Sequence, residues 1–241
     1  MRWLGLVLLA LVALQLYFAA RIALMAWLDP GSTTFERSEA WRLATSSPGS
    51  LRWRQQWMPY AQLSDHLKRA VIASEDGDFV NHDGVEWEAI EKAWQKNAKA
   101  EAQAQAQVQA QAQKKAKPPK IVGGSTITQQ LAKNLLLSGE RTLLRKGQEF
   151  VLTLLLETLL DKRRILELYL NHVEWGEGVF GAEAAARHYY RKSAAQLSAY
   201  EAARLAVMLP RPKYFEKLPN SGYLGNRAQT IVVRMSAAEL P

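Results

Sequence analysis

The sequence predicts a mainly α-helical protein with one N-terminal membrane-spanning helix. Three observations carry this. Residues 3–20 form an apolar run whose only strongly polar member is Gln15. From Tyr60 on, apolar residues recur every three to four positions. No alternating apolar–polar run is long enough to demand a large sheet. The 241 residues suffice for one domain with a buried core. Zero cysteines exclude a disulfide scaffold and any cysteine-ligated metal site. A net charge of +8 admits nucleic acid, an anionic membrane surface or a phosphorylated substrate, so the location of the charge has to decide.

The apolar run continues over residues 22–28 after Arg21. A hydrocarbon core of about 30 Å needs roughly 20 such residues in a helix. Trp3, Tyr17 and Trp27 lie near its ends, where amphipathic rings favour the interface, and Arg21 can reach toward headgroups. A cleaved signal peptide is the alternative. The run is longer than the usual apolar region of about 7–15 residues, and only Tyr17-Phe18-Ala19-Ala20 offers a weak cleavage site. We therefore expect a retained anchor over 1–28. The few flanking cations are nearly balanced and do not orient it.

Residues 29–58 carry Pro30-Gly31-Ser32 and a Ser/Pro/Gly-rich stretch at 46–50, and read as a loosely structured connector. The domain proper is expected over 59–241. Leu63, Leu67, Ala70, Val71 and Ser74 fall on one helical face, and Trp87, Ile90, Glu91 and Trp94 on the next. Ile127, Leu131, Asn134 and Leu135 suggest a third helix capped by Ser125 or Thr126. Apolar helices follow over 142–160 and, after Asp161, 162–172. Ser198-Ala199-Tyr200-Glu201 spells a capping box before a helix ending ahead of Pro210, and a final helix covers about 226–237. Residues 98–120 are a low-complexity Ala/Gln insertion ended by Pro118-Pro119. Its lysines at 114, 115, 117 and 120 have no interleaved aromatics, which argues against nucleic acid.

Four polar blocks could carry chemistry. The first, residues 74–84, holds Glu75, Asp76, Asp78, His82 and Asp83 in a glycine-containing helix end, suited to a general base or simply to a solvated acidic turn. It lacks the spacing of a calcium loop. The second, Gly123-Gly124-Ser125-Thr126-Ile127-Thr128-Gln129-Gln130 with Lys133, leaves backbone N–H groups at a positive helix end, an anion site or an ordinary cap. The third sets Arg141, Arg145 and Glu149 one helical turn apart, either a cationic face beside a carboxylate or a surface ion pair. The fourth, residues 162–171, reads by itself as core packing with a basic flank.

In this order the four blocks resemble the peptidoglycan glycosyltransferases of glycosyltransferase family 51. The matching spellings are Glu75-Asp-x-x-Phe79-x-x-His82-x-Gly84, Gly123-Gly-Ser-Thr-Ile-Thr-Gln-Gln130, Arg145-Lys-x-x-Glu149 and Ile165-Leu-Glu-x-Tyr-Leu-Asn171. The resemblance covers residues 55–235. No Ser-x-x-Lys or Lys-Thr-Gly of a penicillin-binding domain is present, so the monofunctional form is expected. The long Ala/Gln insertion departs from the family pattern, as a flap or a decoration.

The resemblance implies a lysozyme-like, two-lobed helical domain on the periplasmic side of the bacterial inner membrane, held by a single span. It implies polymerisation of lipid II into β-1,4 glycan strands with release of undecaprenyl pyrophosphate. Carried onto this sequence, Glu75 is the base at the acceptor hydroxyl and Glu149 the donor-side acid. Ser125, Gln130, Lys133, Arg141 and Arg145 hold phosphate or sugar, while Asp76, His82 and Asn171 shape the site. Mg2+ is an expected companion of the pyrophosphate, with no ligand set legible. Lipid II and the growing strand are the expected partners, with other cell wall synthesis or division proteins, and no nucleic acid. A glycan hydrolase or lytic transglycosylase, and a membrane-anchored scaffold without catalysis, are the competing functions. Because the substrate would stay in the bilayer, Leu135, Leu136, Leu137 and the apolar residues near Phe150 are candidates to dip into it, against burial in the core.

Overall fold

The computed structural model describes residues 2–46, 52–87, 125–137 and 142–241, together with positions 91, 95, 98 and 99. Most of the helix expected around Ile90 and Trp94, the insertion beyond residue 99, Gly123-Gly124 and Arg141 lie outside these described residues. Within them the chain is mainly helical, as its periodicity predicts, with one small sheet.

Helix α1 (Arg2–Leu24) is about 35 Å long at 1.5 Å per residue, enough to cross a hydrocarbon core. Most of its apolar side chains are exposed over residues 3–17, which suits contact with lipid. Its far end is not loose. Ile22 and Met25 are buried in the core, and Arg164 donates from Nε to the Met25 carbonyl (2.7 Å) while pairing with Asp29 (2.7 Å).

The connector expected over 29–58 contains a second helix, α2 (Thr34–Ser46), and a short strand, β1 (Arg54–Gln55). Thr33 and Glu36 cap α2 reciprocally: the Glu36 N–H donates to Thr33 Oγ1 (3.0 Å) and the Thr33 N–H to Glu36 Oε2 (2.6 Å). Glu36 is buried and its other oxygen meets His172 Nδ1 at 2.9 Å. The helix is therefore tied into the domain.

Helix α3 (Asp65–Glu75) starts at Ser64, whose hydroxyl accepts from the His66 N–H, and buries Leu67, Ala70 and Val71. Helix α4 (Ile127–Leu136) opens with a Thr126–Gln129 capping box. Thr142 caps α5 (Leu143–Leu159) and Asp161 caps α6 (Lys162–His172). Strands β2 (Glu174–Gly176) and β3 (Val179–Phe180) follow, with β3 between β1 and β2. Then come α7 (Ala182–Tyr190), α8 (Ala199–Met208), α9 (Pro212–Glu216) and α10 (Gly222–Arg234). The predicted capping box opens α8, whereas α10 begins four residues earlier than its apolar pattern suggests.

Two helical groups share the core: α3, α8 and α10 pack together, and α4 packs on α5 and α6 with α1 and α2 alongside. Leu152 and Leu156 of α5 are fully buried, each contributing about 1.5–3 kcal/mol by leaving water. Leu135 and Leu136 are also core residues, because α4 turns them toward the domain interior. The exposed apolar side chains lie instead on α5, where Leu143 and Leu144 are 91% and 89% exposed and Phe150 is partly so.

Candidate active site

The site is built on the loop leaving α3. Asp76 ends that helix with an extended backbone, and its buried carboxylate ties two elements together. Oδ2 accepts from the Ile127 N–H at the start of α4 (3.0 Å), where a negative charge also suits the helix dipole. Oδ1 lies 2.8 Å from His82 Nε2. Because His82 Nδ1 accepts from the Gly84 N–H (3.0 Å), the Nε2 atom carries the proton and donates it to Asp76. Phe79 is buried beneath the loop with the Lys162 ammonium 4.6 Å from its ring centre.

Gly84 has φ +81°, and a Cβ there would lie 2.7 Å from Thr153 Cγ2 and 2.8 Å from Glu157 Cγ on α5. Its carbonyl accepts from Thr126 Oγ1 at 2.7 Å. The loop, the start of α4 and the side of α5 thus converge at a position only glycine fits.

Glu75, the last residue of α3, is half-buried beside this junction. Its Oε2 accepts from Gln130 Nε2 (2.9 Å), and Gln130 Oε1 accepts from the buried Tyr169 hydroxyl (3.0 Å). The tyrosine fixes which way the amide faces, so an N–H and not an oxygen meets the carboxylate. Burial pushes the Glu75 pKa above the ordinary 4.5, against the lowering effect of Gln130 and Ser74, and the neighbouring Asp76 charge adds to the rise.

Next to Gln130 opens a cavity of about 400 Å³. Ser125, Gln130 and Lys133 line it from α4 and its approach, Arg145 and Glu149 from α5, and Phe35 from α2. Glu149 is buried between two cations: Arg145 donates to Oε2 at 2.9 Å and Lys146 to Oε1. Arg145 and Lys146 precede it by four and three residues, so one turn of α5 presents all three groups.

The structure therefore brings Ser125, Gln130, Lys133, Arg145 and Glu149 around one cavity, with Glu75 joined to it through Gln130. Asp76 and His82 stand behind Glu75, holding the loop. Asn171 is not brought to the cavity. It is buried, and its amide is used by the Met58 N–H (2.8 Å), the Met58 carbonyl (3.0 Å) and the Glu167 carbonyl (2.9 Å). Arg141 lies outside the described residues.

Sequence reasoning missed Phe35, Tyr169 and the second cation, Lys146, as parts of the site. Thr33-x-x-Glu36 is a capping-box spelling that would have announced the helix bearing Phe35. Tyr169 stands in the Ile165–Asn171 spelling, but its role depends on where α6 meets α4. Chemically, the arrangement can hold an anion on cations while a carboxylate nearby accepts a proton.

The sequence is similar to those of known proteins. A family model described as transglycosylase matches residues 44–236. The chain is 54% identical over 232 residues to a biosynthetic peptidoglycan transglycosylase of Burkholderia thailandensis, covering 96% of this chain and 84% of that protein. It is 50% identical over 244 residues to one of Paraburkholderia xenovorans, covering 100% of this chain and 94% of that protein.

Proposed function

Because the chain belongs to the transglycosylase family and polymerises the glycan strands of peptidoglycan, we propose that Glu75 is its catalytic base and that cations of α4 and α5 hold the leaving pyrophosphate. The donor is lipid II, and the product is a β-1,4 strand with undecaprenyl pyrophosphate released. The observation that carries the assignment is the hydrogen bond by which Gln130 joins the Glu75 carboxylate to the cationic cavity.

Inversion at the sugar requires the acceptor's 4-hydroxyl to attack opposite the leaving group. Glu75 removes that proton as the new bond forms. Lys133 and Arg145 stabilise the charge that grows on the departing phosphate, and Ser125 adds a donor at the start of α4. Glu149 holds Arg145 and Lys146 in register from below. Arg141 joins them in this proposal from outside the described residues.

The described side chains do not fit a protein-built metal site. Among the described residues no three metal-capable side chains converge, and the carboxylate lining the cavity, Glu149, is taken by two cations. Mg2+, where it acts, arrives on the substrate's pyrophosphate, and no step above uses it. Helix α1 is long and apolar enough to cross a membrane. We place it as a single span of the inner membrane with the domain on the periplasmic side, where lipid II is consumed.

A base that must be ionised loses activity as pH falls through its pKa. With that pKa raised by burial, the acid limb of the rate should lie above pH 4.5. Gln130→Ala removes a donor that favours the carboxylate, so the limb should move further up in pH. A limb that stays in place removes Gln130 from this role. Labelled lipid II, given with and without Mg2+, should be built into polymer. Fragments released from purified sacculi, with no polymer, would instead indicate a hydrolase, for which two cations on Glu149 make poor sense.

A further inference from the structure

The fourth polar block opens on Lys162, which the mechanism above leaves unused. In the fold its side chain is largely enclosed. The ammonium donates to the His82 carbonyl (2.5 Å) and to Glu157 Oε1 (2.8 Å), and it stands 4.6 Å from the centre of the Phe79 ring. Glu157 Oε1 also accepts from Thr128 Oγ1 at 2.6 Å, two residues before Gln130 on α4. One ammonium thus gathers α4, α5 and α6 onto the loop that follows Glu75.

This network shares a frame with the cationic cavity. Glu149, Thr153 and Glu157 follow one another at intervals of four along α5. Glu149 holds Arg145 and Lys146 near the start of that helix. Glu157, about 12 Å further along the axis, holds Lys162. Thr153 and Glu157 both pack under Gly84, where a Cβ has no room. A buried ion pair is a poor device for stability, since removing two charges from water costs about as much as their attraction returns. What it does supply is direction, here that of the His82 carbonyl. The ring of His82 in turn donates to Asp76, the residue after Glu75.

We propose that Lys162, set in place by Glu157, is a positioning residue for the reaction: through the His82 carbonyl it holds the loop that keeps the Glu75 carboxylate enclosed beside the cavity. The inference rests on Glu75 acting as the base. Lys162 does not line the cavity, so its effect passes through the loop and not through a contact with the donor there. The groups facing Glu75 are Ser74 and Asp76 from its own segment, Gln130 from α4 and Tyr169 from α6. Those facing Lys162 are Glu157 from α5, Thr128 beyond it on α4, and His82 with Asp76 from the loop. Burial is the main reason that the Glu75 pKa stands above 4.5. A loosened loop admits water and lets it fall.

The test uses the full chain in lipid bilayers with labelled lipid II. Glu157→Gln combined with Lys162→Met removes one charge of each sign, leaves no lone carboxylate enclosed, and keeps an acceptor for Thr128. We expect kcat to fall about 10- to 100-fold, the scale of misplacing a reacting group by about 1 Å. KM for the donor should change less than about twofold. The acid limb of the rate should move down in pH toward 4.5, because the base becomes easier to ionise. A kcat that falls only as far as the folded fraction falls, with the acid limb in place, would make the pair merely structural and overturn the proposal. An unchanged kcat, with or without a raised KM, would do the same. The chain has no cysteine, so Lys162→Cys supplies a single thiol for aminoethylation, which returns an ammonium at nearly the reach of lysine. Protein shown by mass to carry the aminoethyl group should regain most of the lost turnover and the original acid limb. If it stays at the level of the unmodified Lys162→Cys chain, the proposal fails. A Glu75→Gln chain that keeps wild-type turnover is a separate result and overturns the reading of the base itself.

Discussion

Glu75→Gln should lower lipid II polymerisation by roughly 10²–10⁴-fold, the usual contribution of a positioned general base. The fold should survive. Glutamine has the same shape, its oxygen can still accept from Gln130, and Asp76, not Glu75, carries the contacts that hold the loop. Burial also disfavours the charged form of Glu75, so a neutral amide is cheaper to keep there. The check is turnover of labelled lipid II alongside thermal melting. Turnover near the wild-type level would take Glu75 out of the mechanism, whereas loss of activity with an unchanged melt supports it.

Glu149→Gln should behave differently, because Glu149 is buried between two cations. The amide cannot accept from both with equal strength, and Arg145 loses a charged partner in a largely enclosed position. Arg145 and Lys146 would then drift within the cavity. Misplacement by about 1 Å at a reacting centre can cost about 10²-fold, and we expect a fall in kcat of that order. The cavity becomes more positive, so KM for the donor should not rise. Stability should drop by about 1–3 kcal/mol, more than for the Glu75 variant, discounted because Lys146 is about half exposed. Steady-state kinetics with a melting curve separate these effects. A raised KM with kcat unchanged would mean that Glu149 touches the donor directly and does not position the cations.

How far the chain itself announced this site varies by element. The cap at Thr126, the Ser198–Glu201 box and the apolar row of α3 are local patterns, set by residues three or four apart, and the structure repeats them. The start of the helix inside 29–58 is spelled locally by Thr33 and Glu36, but what holds that helix to the domain comes from elsewhere. Glu36 finds its partner in His172, far along the chain, and α2 itself is polar over most of its surface. The same limit applied to Leu135 and Leu136: exposed and buried leucines are spelled alike, and α5 and α6 decide which they are.

The order of motifs, the apolar span and the absence of cysteine were enough to determine the membrane-anchored helical class and the chemistry of the family. Only the folded chain decided that Gln130 stands between Tyr169 and Glu75, that Asn171 spends its amide on the Met58 backbone, and that Gln15 meets Gln148. Each of these joins residues more than thirty positions apart. Propensity and capping act within a few residues, whereas the partner of a distant polar group is chosen by whichever helices bury it together.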